Sequence, residues 1–207
     1  MIAKDPALDR RIWMLAWPLL LSNITAPLLG LVDTAVVGHL DSPVYLAAVA
    51  LGSNVFMFLY FSFNFLRMGT TGFTSQARGA GEATLVVLLR ALLLSTLVGS
   101  ALILLRPLLS DVALWLLGGS DEVQGLAREY IGIRILGAPA ALGNFALIGF
   151  AIGLHRTSVP LKMTVLMHSS NVLLDVLLVQ VWHFDVRGVA VASAVSEYLG
   201  LAGGLFW

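Results

Sequence analysis

Three carboxylates stand inside long apolar stretches: Asp33, Asp175 and Glu197. Asp33 closes a run that holds no other charge from Ile12 onward. An acid at the centre of a spanning helix costs about 2.5–3.5 kcal/mol on insertion scales, and such acids usually mark ion or proton paths. Asp33 lies six residues before His39, and Asp175 eight before His183. If each histidine marks the edge of the bilayer, the two carboxylates lie at one depth, ~9–12 Å below it. Two acids at matched depth predict one shared site, titrating as a coupled unit.

Other polar residues surround this pair. Thr164, His168, Asn171 and Asp175 recur at spacings of 4, 3 and 4, which is one face of a helix. Asn23, Pro27, Gly30, Asp33 and Thr34 form a looser counterpart, and Ser53, Tyr60, Asn64, Arg67, Arg134, Asn144, Ser193 and Glu197 complete the set. With these faces turned inward, a bundle would enclose a wet cavity. Tyr60, Asn64, Arg134, Asn144, His168 and Glu197, with Asn23, are its candidate substrate-facing residues. Structural roles compete at each position. Asn23, Ser53, Asn64 and Asn144 could be interhelical hydrogen-bond glue, worth about 0.6 kcal/mol each. His168 could bond a backbone carbonyl, Arg134 could snorkel outward, and Pro18 and Pro27 could be ordinary kinks. Asp33 and Asp175 could be hydrogen-bonded acids at helix breaks.

The elements that must position these residues are membrane helices. The chain is 58% hydrophobic and 12% charged, with a formal net charge of zero and a mean hydropathy of +0.91. A soluble domain carries about 25% charged residues, so the class is an integral membrane protein. Nothing points to nucleic acid. The sequence has no cysteine, so it has no disulfide framework. The first apolar run is longer than a signal-peptide core and has no small-residue cleavage site after it. Expected spans are 12–38, 44–66, 84–105, 127–153, 158–182 and 186–207: an all-α, six-helix bundle. Residues 107–118 are too short to cross and read as an interfacial helix, with Ser120 as the cap of the next helix.

Basic residues orient the bundle. With the N-terminus cytoplasmic, the inner side receives Lys4, Arg10, Arg11, Arg67, Arg78, Arg90, Arg156 and Lys162. The outer side receives Arg106, Arg128 and Arg187, with Arg134 a little inside its span. The last run reaches Trp207 with no polar tail after it, so a longer parent protein is expected. No HExxH, GxSxG, Walker lysine or strand-borne GxGxxG is present, and an enzyme is not expected.

"WPLLLSNITAPLLGLVDTAVVGHLDSPVYLAAVALG" (17–52) closely resembles the first two helices of MATE transporters, the multidrug and toxic compound extrusion family. "FLRMGTTGFTSQARGAG" (65–81) resembles their loop between helices two and three. "NVLLDVLLV" (171–179) and "GVAVASAVSEYLG" (188–200) resemble helices five and six, in wording nearest the DinF-type branch. The resemblance implies the N-terminal half of a twelve-helix antiporter, completed by a C-terminal lobe. Such a protein would export amphipathic or cationic compounds across the bacterial cytoplasmic membrane. It implies no cofactor beyond the coupling ion, H+ or Na+. The implied cation site falls on Asp33, Asn171, Asp175 and Ser193, with Na+ at the first three if sodium is used. Ser193 replaces a threonine common in the family, and Pro18 matches a proline linked to helix bending. Taking up a proton or sodium ion would change which helix packing is favoured. Two alternatives remain at this level: a flippase of lipid-linked precursors from the same superfamily, and a non-transporting membrane fragment. The flippase would need several cavity cations, and only Arg134 and Arg67 are available.

The charge bias makes a topological prediction. Accessibility tags near residues 2 and 80 should report the cytoplasm, and a tag near 120 the opposite side. A cytoplasmic signal at 120 would overturn the span count.

Overall fold

The computed structural model describes residues 10, 13, 14, 16–21, 35, 36, 38 and 42–207. Of the expected first span, residues 16–21 are helical and Pro18 is half-buried among them. Asp33, Asn23 and Pro27 lie outside the described residues. From residue 42 onward the chain is helix upon helix, with no strand among the described residues. The order is α1 (Pro43–Ser62), α2 (Phe65–Gly79), α3 (Thr84–Leu104), α4 (Arg106–Leu117) and α5 (Asp121–Arg134). After a 3₁₀ turn at Ile135–Gly137 come α6 (Ala138–Gly153) and α7 (Ser158–Asp175). A π turn at Val176–Val181 and α8 (Asp185–Phe206) complete the chain.

Five segments among the described residues are long and apolar enough to cross a membrane: Pro43–Gly79, Thr84–Leu104, Asp121–Gly153, Ser158–Val181 and Asp185–Phe206. Their outward faces carry leucine, valine and phenylalanine exposed to the surroundings. Tryptophans collect at both ends, with Trp115 and Trp182 at one and Trp13, Trp17 and Trp207 at the other. That is the aromatic belt of a protein seated between two interfaces. Helix starts follow local chemistry. Ser42 accepts a hydrogen bond from Val44 N (3.3 Å) just before Pro43, and Ser120 accepts one from Val123 N (3.4 Å), the expected cap.

One expectation needs correction. Residues 65–81 resemble a loop of the family, but Phe65–Gly79 form α2, a 15-residue helix. Its glycines, hydroxyls and Gln76 lower the hydropathy of the segment, so it does not look like a span. What holds it is its small-residue face: Thr70, Thr74 and Ala77 are buried. Thr70 and Thr74 lie against α6, whose Gly149 and Gly153 have no room for a Cβ because Arg67 O, Thr70 and Thr74 occupy the space. Thr71 Oγ1 donates to Gly149 O (3.1 Å) and Ser75 Oγ to Gly153 O (3.4 Å). Arg78 closes the end of this contact by donating to Leu154 O (2.7 Å).

The kinked segment α5–α6 is the axis of the bundle. Eleven of the sixteen residues of α6 are buried, most of them glycine or alanine. On its other side Gly99 of α3 meets the backbone of Pro139, and Ser95 Oγ donates to Leu142 O (3.1 Å). Helices in lipid gain nothing from excluding water, so close backbone approach and interhelical hydrogen bonds hold them together.

Glycine substitutions should separate these roles. A Cβ at Gly99 would stand 2.5 Å from Pro139 N and Cα, backbone atoms that cannot rotate away. Gly99→Val should destabilise the purified protein by about 1–3 kcal/mol or more. Gly72, whose Cβ would meet nothing within 4 Å, should accept alanine with a change within about 1 kcal/mol, in the stabilising direction. Thermal unfolding in detergent measures both, and equal effects would refute the packing assignment.

Candidate functional site

Asp175 is the last residue of α7 and is fully buried, and Asn171, one turn earlier, is 1% exposed. The backbone then changes from α to π geometry at Val176. Single π turns recur at functional sites because they redirect side chains and break the regular bonding ladder. α8 packs along α7 in the antiparallel sense. Gly188 lies against Val179, Gly200 against Met167 and Gly204 against Met163. In that register Ser193 is level with Leu174, within one turn of both Asn171 and Asp175. Ser193 is itself buried. Thus three of the four expected cation ligands share one buried level between two packed helices, and the fourth, Asp33, is outside the described residues. Thr164, on the same face of α7, is buried too and donates to Pro160 O (2.9 Å).

Arg134 does not snorkel outward. Its guanidinium lies over two rings, 4.9 Å from the Phe56 centroid and 5.6 Å from that of Tyr130. Nη1 donates to the Tyr130 hydroxyl, which is 3.0 Å from Ser53 Oγ. A desolvated cation over an aromatic face gains about 2 kcal/mol or more. Tyr60 and Glu197 lie within electrostatic reach of this guanidinium. Tyr60 Oη, Arg134 Nε and Glu197 Oε2 are buried and hold no hydrogen bond among the described residues. A phenol, a guanidinium and a carboxylate with unused hydrogen-bonding capacity thus form a buried polar cluster. The 3₁₀ turn beside Arg134 is supported by Tyr198 Oη, which donates to Leu136 O (2.9 Å).

The remaining candidates separate in space. Asn144 Nδ2 donates to Glu197 O (3.0 Å), so its side chain ties α6 to α8. His168 lines a second cavity of about 520 Å³ with Leu19, Arg67, Thr71 and Thr164. Its Nε2 is buried and has no partner among the described residues. Asn64 stands at the break between α1 and α2, where its carbonyl accepts from Arg67 N and Met68 N. Among the described residues, the lining of the His168 cavity includes none of Tyr60, Arg134 and Glu197. Sequence reasoning missed Tyr130 and Phe56, although each lies four residues before a named polar residue, on the same helical face as Arg134 or Tyr60.

The MatE family profile matches residues 18–177. The DNA damage-inducible protein F of Escherichia coli is 46% identical over 199 residues, which is 95% of this chain and 43% of that protein. A probable multidrug resistance protein NorM of Acinetobacter baylyi is 28% identical over 93% of this chain and 44% of its own. A solved outward-facing multidrug resistance MATE transporter of the MOP superfamily superposes with a TM-score of 0.86. It is 26% identical and covers 95% of this chain and 44% of that one. The inward-facing counterpart gives a TM-score of 0.79 over 87% of this chain. The chain spans less than half the length of these relatives. A profile matched over most of its length, by a bundle of membrane helices with the same arrangement, makes this chain a member of the MatE family.

Proposed function

We propose that this chain is the N-terminal lobe of a secondary active antiporter, not an enzyme. It acts with a second six-helix lobe in the bacterial cytoplasmic membrane, its N-terminus on the cytoplasmic side. The protein exports amphipathic or cationic organic compounds against uptake of H+ or Na+. The observation that carries this reading is Asp175 buried with Asn171 at the π turn, level with Ser193 on the facing helix. Asp33 is the expected partner carboxylate from span one. Acids inside membrane spans are rare and usually mark ion or proton paths. Protonation, or sodium held by the carboxylate and amide oxygens, neutralises it and shifts the balance between packings, which is the condition for coupling. No cofactor is required.

The polar cluster of Tyr60, Arg134 and Glu197 meets the substrate in this reading, with His168 lining the cavity beside Arg67 and Thr164. Efflux by the protein in inverted vesicles, under separate proton and sodium gradients, identifies the coupling ion. Loss of efflux under both gradients would refute the antiporter reading.

Asp33→Asn and Asp175→Asn should each abolish gradient-driven efflux while leaving membrane insertion intact, because neutralising a buried acid removes an insertion cost. The double variant should be scarcely worse than either single one, as expected for groups acting as a unit. Asn23→Ala should cost little. Near-normal efflux by either aspartate variant would refute the shared site.

Arg134→Lys keeps the charge and loses the planar stacking on Phe56 and Tyr130. It should lower substrate affinity about tenfold while transport still follows the ion gradient. An unchanged affinity would place substrate elsewhere.

A further inference from the structure

Away from the polar interior, a groove of about 560 Å³ runs between α2 and α3 at the end of the bundle that holds the Gly79–Thr84 turn. This volume is within the range of about 300–1,000 Å³ usual for small-molecule sites. Small residues (Gly69, Ala77, Ala91) alternate along it with large apolar ones (Phe65, Phe73, Leu94). Phe65, Phe73 and Leu94 are exposed. Arg90, Glu82 and Gln76 also line it.

Among the described residues, neither Arg90 nor Glu82 has an ion-pair partner. The ion pairs among the described residues are Arg128–Asp111 and Arg187–Glu129, both at the opposite end. Arg90 is exposed and lies six residues into α3, about 9 Å beyond its first residue. At that depth an arginine needs an anion, or must extend its side chain to one. Side chains of a helix lean toward its N-terminus, so Arg90 leans toward the turn that carries Glu82. One cation and one anion thus close the polar end of an apolar groove.

We propose that this groove binds one aminophospholipid of the leaflet at this end. Its phosphate sits on the Arg90 guanidinium, its primary ammonium on the Glu82 carboxylate, and an acyl chain lies along Phe65, Phe73 and Leu94. Two opposite charges match a zwitterionic headgroup better than an anionic one. A primary ammonium donates hydrogen bonds to a carboxylate, which a quaternary one cannot. Arg78, Arg156 and Lys162 stand at the same end of the bundle, the level at which basic residues meet headgroups.

Native mass spectrometry of the delipidated, purified protein tests this, with phosphatidylethanolamine, phosphatidylglycerol and phosphatidylcholine added in turn, and inorganic phosphate as competitor. One phosphatidylethanolamine should be retained about tenfold better than either other lipid, the scale of one charge-assisted hydrogen bond. Inorganic phosphate should not displace it. Arg90→Gln should abolish the retention, and Glu82→Gln should equalise phosphatidylethanolamine and phosphatidylglycerol. Gly69→Leu, at a position where a Cβ meets nothing within 4 Å, should fill the groove and exclude all three without lowering the unfolding temperature. Equal retention of the three lipids, displacement by inorganic phosphate, or no retention because protein covers the groove would each overturn the proposal. So would an unchanged preference in Glu82→Gln, which lies in an exposed turn and tests the headgroup without touching a helix interior.

Discussion

The lobe depends on how closely α6 lets its neighbours come. In lipid there is no water to exclude between apolar side chains, so a bundle coheres through dispersion at short range and through interhelical hydrogen bonds. α6 supplies both because most of its buried residues are glycine or alanine. Its glycines admit the carbonyl of Arg67 and the side chains of Thr70 and Thr74. Its own carbonyls at Leu142, Gly149 and Gly153 accept from Ser95, Thr71 and Ser75. The largest fully buried aromatic residues, Phe56 and Tyr130, pack at α1 and α5 beside Ile131 and Ile135.

Tight packing by small residues leaves few places for polar groups, and the breaks provide them. Asn64 stands between α1 and α2, Arg134 ends α5 before the 3₁₀ turn, and Asp175 ends α7 before the π turn. Non-helical backbone at membrane depth is tolerated where protein buries it or where it lines a cavity. Transporter sites are commonly built at such interruptions. A chain of straight spans could carry the same residues, but each would remain in a ladder that uses its backbone groups and fixes its direction.

Much of this was legible in the sequence, for identifiable reasons. Apolar runs and the charge deficit fix the class. The 4–3–4 spacing from Thr164 to Asp175 places one polar face on α7, and Ser120 caps α5 because a hydroxyl before an acidic first turn has few other uses. The extension of the helix to Gly79 was not legible, since hydropathy measures preference for lipid and α2 is held by fit to α6. Arg134 was ambiguous because its two rings come from Phe56, far along the chain, and from Tyr130, which pattern alone assigns to the core. The separation of His168 from Glu197 also depends on packing register, which no local signal carries. The partner expected for Asp175, Asp33, lies outside the described residues.

α8 connects the two halves of the proposed mechanism. Ser193 and Glu197 are four residues apart, on one face, with Cβ atoms about 5–6 Å apart. Ser193 is level with the Asn171–Asp175 pair, and Glu197 belongs with Arg134 and Tyr60. On the proposed reading, a cation entering beside Ser193 adds a unit charge one helical turn from Glu197, a Cβ spacing of about 6 Å. At an effective dielectric constant of about 20 that interaction is about 3 kcal/mol, roughly a hundredfold in an equilibrium constant. Coupling free energies between distinct sites typically fall at about 1–3 kcal/mol. Ion and substrate can therefore sense each other along one face of α8 through the field alone, and the small residues of α8 need only keep that face pressed against its neighbours.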